Sequence, residues 1–284
     1  MKRVLVAGAT GYLGRYLVRE LKARGHWVRV LIRKPEQEAL FDAVDDVFVG
    51  QITDPNSLAG ICEGIDWVIT SVGITRQKDG MTYMDVDFQG NLNLLQQAQA
   101  EKVDRFQYIS AINGDQMRHL KIFEAKEGFV DRLVSCDVSH QVIRPNGFFS
   151  DMRDFLDMAK SGRVYLFGDG EFKLNPIHGA DLAAFCVDSL NRPETDLTIG
   201  GPDMFTQNEL AALALEVWDK PARIIHLPDG IRKFIIWAMR TFTASKTYGP
   251  VEFFMTAMSM ENIAPTTGTH HLRDYFESEV AKAQ

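Results

Sequence analysis

Short apolar runs alternate with helical patterns along the first two-thirds of the chain. Several of these runs are apolar almost throughout, which is typical of strands buried on both faces of a sheet. The predicted strands are Arg3–Ala7, Trp27–Ile32, Val47–Gly50, Trp67–Thr70, Phe106–Ser110 and Gln141–Arg144. In the segments between them, apolar residues recur at helical spacing. The clearest predicted helices are Tyr12–Arg24, Thr82–Glu101 and His119–Val134. The alternation predicts an α/β fold, a doubly wound parallel sheet with helices on both faces.

The pattern changes after Arg144, where proline and glycine interrupt the chain more often. Thr198–Ile199 has the character of a further strand, and Thr206 with Glu209 forms the pattern of a capping box. We therefore predict a nucleotide-binding domain over residues 1–150 and a smaller C-terminal α/β lobe, interleaved with the sheet, over residues 151–284. The apolar patches at 235–237 and 253–255 are expected in the core of that lobe, although a pocket cover or a partner contact is an alternative.

Three glycines follow the first predicted strand and open the first helix, in the order Gly8, Gly11 and Gly14. In a Rossmann fold the first glycine permits a tight turn, the second lets the backbone approach a pyrophosphate, and the third lets the helix pack closely. Free amides at the helix N-terminus then face the phosphates. We predict that this turn binds NAD(P) through Gly8, Thr10, Gly11, Tyr12, Leu13 and Gly14.

The residues after the second strand favour NADP over NAD. NAD-selective folds place Asp or Glu about 20 residues past the glycines, where it binds the ribose 2′-hydroxyl. Here Arg33 lies 19 residues after Gly14, and Lys34 follows it. A guanidinium can hold a 2′-phosphate by two hydrogen bonds. We predict NADPH as the preferred cofactor, with Arg33 as the selecting residue and with Lys34 and Arg15 as helpers.

Composition narrows the class of protein and its partners. The 284 residues are 45% hydrophobic and carry a formal net charge of −7, which argues against a nucleic-acid partner. The three cysteines are far apart, so we predict no disulfide framework and a cytoplasmic location. No apolar stretch approaches the roughly 20 residues that span a bilayer. A small-molecule substrate is the expected partner.

Several segments resemble the atypical short-chain dehydrogenase/reductase superfamily, most of all its NmrA-like branch. The segments that carry this resemblance are Gly8–Gly14, Gly50–Asp54, Ser71–Gly73, Val86–Leu95, Arg144–Gly147 and Pro176–Ala183. The similarity is good over residues 1–190, although Gln51 stands where the family has its first aspartate. The resemblance implies cofactor contacts by Asp54, Ser71, Val72, Gly73, Lys126, Pro145 and Asn146.

One expected catalytic residue is missing. Reductases of this superfamily use a Tyr-x-x-x-Lys pair, and here Lys126 matches while Ile122 replaces the tyrosine. An isoleucine side chain cannot transfer a proton. Three replacements are considered: Lys126 itself, if burial lowers its pKa; His119, expected on the same helix face; and Tyr83, reaching in from the opposite side.

Ser110 ends the fifth predicted strand, where the superfamily has serines that orient the substrate carbonyl. Ser110 is therefore a further catalytic candidate, with Asn113 as an alternative hydrogen-bond donor. His178 and Asp181 have no third ligand at suitable spacing, so we predict no metal site and expect Asp181 to cap a helix that begins at Leu182.

The first functional hypothesis is an NADPH-dependent oxidoreductase that acts on a small carbonyl, enone or quinone. The alternative is a non-catalytic NADP-binding sensor or assembly factor with the same fold. A sugar-nucleotide epimerase or dehydratase is a third hypothesis, and the missing tyrosine counts against it.

Overall fold

A computed structural model of the chain describes residues 1–74 and 80–283. They form two compact units, the first of residues 1–144 and 182–197, and the second of residues 145–181 and 198–284. The sequence predicted a boundary after residue 150, with a C-terminal lobe interleaved with the sheet. In the structure residues 182–197 belong to the first unit. The reason is a buried polar cluster, in which the Gln107 amide donates to the Cys186 carbonyl at 2.9 Å and to the Ser189 hydroxyl at 3.1 Å.

A seven-stranded sheet organises the fold, in the order β3-β2-β1-β4-β5-β6-β9. The strands of the chain are β1 (Arg3–Ala7), β2 (Trp27–Ile32), β3 (Asp46–Val49), β4 (Trp67–Thr70), β5 (Arg105–Ile109), β6 (His140–Pro145), β7 (Val164–Phe167), β8 (Lys173–Leu174), β9 (Asp196–Ile199), β10 (Phe205–Thr206) and β11 (Ile224–Leu227). Neighbouring strands from β3 to β6 are all parallel. This order confirms the predicted doubly wound sheet. From β1 the chain adds strands outward to β3 on one side, and from β4 it adds them outward on the other side. Folds of this kind bind ligands at the switch between β1 and β4, outside the carboxyl ends of the strands.

The α-helices are α1 (Tyr12–Ala23), α2 (Asn91–Ala100), α3 (Lys121–Val134), α4 (Arg153–Lys160), α5 (Gly179–Ser189), α6 (Gln207–Val217), α7 (Asp229–Phe242), α8 (Ser245–Ala257) and α9 (Leu272–Ala283). The long helix predicted from Thr82 starts instead as a π-helix over Met84–Gly90 and continues as α2. A side chain at Gly90 would bring its Cβ within 2.9 Å of Ile52. Glycine thus allows this wider turn to lie close to the segment after β3.

The core of the first unit lies between the sheet and its helices. Leu5, Val68 and Phe106 on neighbouring strands are fully buried there, and Leu94 of α2 and Phe129 of α3 pack against the same cluster. These apolar runs are the ones that the sequence predicted as strands buried on both faces. The core therefore fixes the strand ends from which the candidate site is built.

The second unit has its own core and two small sheets. Strand β7 pairs parallel with β11, and β8 pairs antiparallel with β10. Its core gathers apolar side chains from α4, α6 and α9, with Phe155 and Phe276 among the largest. The predicted capping box is confirmed: the Thr206 hydroxyl accepts the Glu209 amide at 3.1 Å, and the Glu209 carboxylate accepts the Thr206 amide at 2.7 Å.

Candidate functional site

The turn between β1 and α1 is built almost entirely by its glycines. Gly8 has a φ of +81°, and a Cβ there would lie 2.8 Å from the Ser71 hydroxyl. A Cβ on Gly14 would lie 2.1 Å from the Gly8 carbonyl oxygen, so α1 can pack this closely only through glycine. The Gly11 amide donates to the same oxygen at 3.0 Å. The steric roles predicted for Gly8 and Gly14 are therefore confirmed.

The N-terminus of α1 suits an anionic group. Gly11 is its N-cap residue and offers no side-chain cap, and the first turn contains no acidic residue. The first amides of a helix have no partner within the helix, and the helix dipole places partial positive charge there. Arg15 strengthens the turn because its guanidinium donates to the Thr10 carbonyl at 3.2 Å. This arrangement fits the diphosphate of a dinucleotide.

A cavity of about 330 Å³ opens beside this turn. It is lined at the carboxyl ends of β1, β2 and β4 by seven of the residues predicted to bind cofactor, namely Gly8, Thr10, Gly11, Arg33, Ser71, Val72 and Gly73. The sequence analysis missed other lining residues, among them Gln51, Ile52, Thr53, Ile74, Met81 and Val86. Gln51 could have been found, because it occupies the family's first aspartate position.

The other predicted cofactor residues of the first unit have different surroundings. Leu13 and Gly14 are buried in the packing of α1, and Tyr12 packs edge-on against Tyr16 at 5.4 Å. Lys34 is exposed at the start of a short 3₁₀ helix. Asp54 caps another, since its carboxylate accepts the Asn56 amide at 3.0 Å. The structure therefore gives Asp54 a structural partner.

Pro145 and Asn146 belong to the second unit. The Asn146 amide group is buried and donates to the Asn175 side chain at 2.8 Å and to the Asn262 carbonyl at 2.5 Å. Its oxygen accepts the Gly147 amide at 2.8 Å. These contacts occupy the Asn146 side chain inside the second unit.

Lys126 forms an ion pair that the sequence analysis did not anticipate. Its Nζ lies 3.0 Å from Oδ1 of Asp87, which is fully buried in the π-helix. The Ile74 amide donates to the other carboxylate oxygen of Asp87 at 3.1 Å. A Cβ on Gly73 would lie 2.6 Å from the Asp87 carboxylate and 2.8 Å from Nζ of Lys126. The pair therefore lies directly against the backbone of a residue that lines the cavity.

The electrostatics of this pair correct one hypothesis. Burial lowers the pKa of Lys126, but Tyr108 and Asp87 raise it by more, so the net pKa lies above its usual value of 10.5. Burial also raises the pKa of the Asp87 carboxyl, and the Lys126 ammonium opposes that shift. The expectation that burial lowers the pKa of Lys126 overall is therefore wrong. Lys126 keeps its proton at neutral pH.

Tyr108 is a further neighbour of Lys126 that sequence reasoning missed. It is a fully buried residue of β5, and Nζ of Lys126 lies 5.7 Å from the centre of its ring. Burial raises the pKa of its hydroxyl above the ordinary value for tyrosine. No sequence signal could have found Tyr108, because its contact with Lys126 depends on how α3 packs on the sheet.

Tyr83 and His119 are two further catalytic candidates from the sequence. Tyr83 is buried, and burial together with the charge of Asp87 raises its pKa to about 12, so it holds its proton firmly. His119 is exposed and lies before the start of α3, because the chain is still extended at Leu120. The expectation that His119 shares a helix face with Lys126 is therefore wrong.

Ser110 takes part in a buried polar cluster at the end of β5. Its hydroxyl donates to the Glu127 carboxylate at 2.8 Å, and Arg144 holds the same carboxylate by two bonds of 2.7 and 3.0 Å. Asn113, with a φ of +55°, follows in the loop. Ser110 is thus oriented by Glu127, a partner that the sequence analysis did not identify.

Asp181 lies in the first turn of α5, which begins at Gly179, so the expectation that it caps a helix starting at Leu182 is wrong. Its carboxylate instead accepts the amides of Thr269 and His270 at 3.2 and 3.1 Å. Over residues 1–74 and 80–283, no group of three His, Cys, Asp or Glu side chains is arranged to hold a metal ion.

The comparisons with known proteins agree with this geometry. A family model described as NAD(P)H-binding matches residues 8–193, a span that includes the glycine turn, Arg33 and Lys126. The chain belongs to this NAD(P)H-binding family. The NAD(P)-binding character that the sequence resemblance implied is therefore confirmed.

Two relatives align with most of this NAD(P)H-binding chain. A divinyl chlorophyllide a 8-vinyl-reductase, chloroplastic, from Zea mays is 29% identical, and the match covers 94% of this chain and 74% of the relative. A photosystem II assembly factor Ycf39 from Trieres chinensis is 24% identical, with coverage of 91% and 82%. One relative is thus named as an enzyme and the other as an assembly factor.

Two solved structures share the fold. AtPrR2 with NADP⁺ and (+)pinoresinol has a TM-score of 0.75 at 18% identity, over 98% of both chains. The NADPH-dependent quinone oxidoreductase QOR2 of Escherichia coli, complexed with NADPH, has a TM-score of 0.71 at 15% identity, over 98% of this chain and 99% of that one.

Proposed function

We propose that the protein is an NADPH-dependent reductase of a small conjugated acceptor, an enone, a quinone or a related carbonyl compound. The observation that carries this proposal is the Lys126–Asp87 pair, which lies against the cavity-lining backbone of Gly73 while Ile122 stands in the usual tyrosine position. A reductase of this kind needs a cation near the reacting atoms more than it needs a tyrosine acid.

The chain's own residues supply binding and charge. The α1 N-terminus would hold the diphosphate, and Arg33, exposed at the cavity, would select NADPH by contacting its 2′-phosphate. Bound NADPH supplies a hydride. Lys126, held protonated, would donate hydrogen bonds to the nicotinamide ribose and stabilise negative charge that develops on an acceptor oxygen. Asp87 fixes the position of the ammonium.

The missing tyrosine limits the class of acceptor that the protein can reduce. Burial makes Tyr83 a weak acid, and Ile122 has no proton to give. A conjugated acceptor forms an enolate or hydroquinone anion after hydride addition, and such anions can take their proton from water. The name of the maize relative, a vinyl-reductase, supports an acceptor of the conjugated class.

The test is an assay of NADPH oxidation with a panel of quinones and enones. We expect turnover by the wild-type protein and its loss in Lys126→Ala. Lys121→Ala is the matched control, because Lys121 lies on the same helix but is exposed and pairs with Glu124 at 2.7 Å. Equal turnover by wild type and Lys126→Ala would refute the role of Lys126.

An NADP-binding assembly factor is the second candidate. The isoleucine at position 122 favours it, as does the Ycf39 relative, which aligns with 91% of this chain. This candidate predicts tight NADPH binding by calorimetry and no oxidation with any acceptor of the panel. Turnover that depends on Lys126 would exclude it. The missing tyrosine likewise counts against an epimerase.

A further inference from the structure

Helix α7 of the second unit exposes an apolar face. None of its residues is buried, although most of them are apolar. Ile231, Phe234, Trp237 and Phe242 are 42%, 63%, 57% and 77% exposed. Ring centres of Phe234 and Trp237 lie 5.7 Å apart, and those of Trp237 and Phe242 lie 6.4 Å apart. The sequence analysis expected core packing around Trp237, and for that side chain this expectation is wrong.

These four side chains form one continuous surface, which we call the α7 face. Positions three or four apart on a helix point the same way, as Ile231, Phe234 and Trp237 do. Phe242 lies five positions after Trp237, at the end of the helix, and its ring meets that of Trp237 edge-on. Single exposed apolar residues are ordinary on soluble proteins, but a contiguous aromatic row is typical of an interaction site. The α7 face therefore needs a partner that accepts aromatic side chains.

Charge identifies the kind of partner. Within residues 229–257 basic side chains outnumber acidic ones, whereas the whole chain carries a net charge of −7. The basic residues are Arg232, Lys233, Arg240 and Lys246, and the acidic residues are Asp229 and Glu252. Lys233 is 72% exposed and pairs with Asp229 at 2.9 Å, and Arg240 is 48% exposed and pairs with Glu252. The two acidic residues therefore do not balance the four basic ones, and the segment keeps an excess of positive charge. The local charge is complementary to an anionic surface.

We propose that the α7 face binds the surface of an anionic phospholipid bilayer, with the helix lying in the plane of the interface. Interfacial helices combine a row of Trp, Phe and Leu with Lys and Arg on the flanks, and aromatic rings favour the headgroup region. Over the described residues no helix is long and apolar enough to cross a bilayer. Contact at the surface is thus the mode that this helix supports.

A second copy of the chain suits the α7 face less well. A two-fold contact brings the same patch of both copies together, so the basic residues that flank the α7 face would enter the interface from both sides. Lys233 and Arg240 of the two copies would then approach one another, and like charges at an interface oppose association. Anionic headgroups offer the opposite charge to the same side chains. The proposal is independent of the reductase function, since the α7 face lies in the second unit and the cavity in the first.

The test is sedimentation of the full-length protein with vesicles of phosphatidylcholine, with or without phosphatidylglycerol. We expect binding to the anionic vesicles, weakened by added salt, and a blue shift of the tryptophan fluorescence that is lost in Trp237→Phe. The double variant Phe234→Ser, Trp237→Ser should bind at least tenfold more weakly, because both aromatic rings are removed from the interface. Lys233→Glu should weaken binding to the anionic vesicles.

Two control variants isolate the α7 face. Phe172→Ser changes an exposed aromatic residue of the second unit outside α7, so its vesicle binding should equal that of wild type. Trp237→Phe keeps an aromatic ring and should retain most of the binding. NADPH-induced thermal shifts that match wild type would show that the variants are folded.

Three results would overturn the proposal: equal binding to neutral and anionic vesicles, no binding to either, or full binding by the double serine variant. Dimers that form with rising concentration and disappear in the double serine variant would assign the α7 face to a second copy instead.

Discussion

The glycine turn and the surroundings of Lys126 meet the same cavity but are built in different ways. The turn is made within seven residues by backbone, and its close contacts exclude every side chain larger than hydrogen at Gly8 and Gly14. Lys126 is placed by groups from three other elements, Asp87, Gly73 and Tyr108. A local steric requirement is visible in a sequence. An electrostatic environment that is assembled from distant parts of the chain is not visible in a sequence, although it decides whether Lys126 is protonated.

The largest expected effect comes from breaking the buried pair. Lys126→Met leaves the Asp87 carboxylate buried without its cation, and such a loss typically destabilises a fold by about 3–5 kcal/mol. The double variant with Asp87→Asn has no charge left at this buried pair and should recover much of that stability. Urea unfolding of both proteins checks this. Lys121→Met, on the exposed side of α3, should change stability by less than about 0.5 kcal/mol. Equal losses in the single and double variants would show that the charge of Asp87 is unimportant.

The glycine turn should respond to one added methyl group. In Gly14→Ala the Cβ would overlap the Gly8 carbonyl, so the turn must shift, at a cost near the upper end of about 1–3 kcal/mol. NADPH affinity should fall with it, because the amides of the turn move. Thermal unfolding and calorimetry measure the two effects. Gly230→Ala is the control, since a Cβ there meets nothing within 4 Å and should leave NADPH binding unchanged.

Substitution of Arg33, at the edge of the cavity, tests the preference for NADPH over NADH. Arg33→Ala should weaken NADPH binding about tenfold, or about 1.4 kcal/mol, and leave NADH binding nearly unchanged. Lys34→Ala should have a smaller effect, because Lys34 does not contribute to the cavity lining. Binding titrations with both dinucleotides provide the measurement. An equal loss for NADH and NADPH would mean that Arg33 does not read the 2′-phosphate.

The smallest expected effect is a loss of folding stability at alkaline pH. The folded pKa of Lys126 lies above its usual value of 10.5, so the protonated lysine stabilises the fold fully below that pH. This contribution is lost as the pH rises through the folded pKa. Wild type should therefore lose more stability above pH 10.5 than the Lys126→Met, Asp87→Asn protein. Parallel alkaline curves would contradict the raised pKa.

The sequence predicted the elements of the first unit well because each is specified locally. Arg3–Ala7, Trp27–Ile32 and Trp67–Thr70 have the bounds that their apolar runs indicated. The π-helix before α2 was missed, because its apolar spacing matches that of an ordinary helix.

The candidate site was predictable only where backbone geometry imposes residue type. The three glycines follow from the shape of the turn and were predicted from their spacing. Arg33 was predicted from its distance to the glycines and lines the cavity, and its role in binding cofactor stays a prediction. The partners of Lys126 and Ser110, Asp87 and Glu127, are acidic residues on helical segments and look like ordinary surface positions in a sequence. Only the packing of those segments on the sheet shows that both are buried.

Because residues 182–197 belong to the first unit, the two units cannot be separated by cutting the chain at one position. A fragment that ends at Arg144 lacks the Ser189 and Glu194 carbonyls, which accept the buried Gln141 amide at 3.0 and 2.9 Å. Such a truncation would leave the buried Gln141 amide without these two hydrogen-bond acceptors. During synthesis the nucleotide-binding half can complete its folding only after residue 197 has left the ribosome. An excised version of the first unit therefore needs residues 182–197 in addition to residues 1–144.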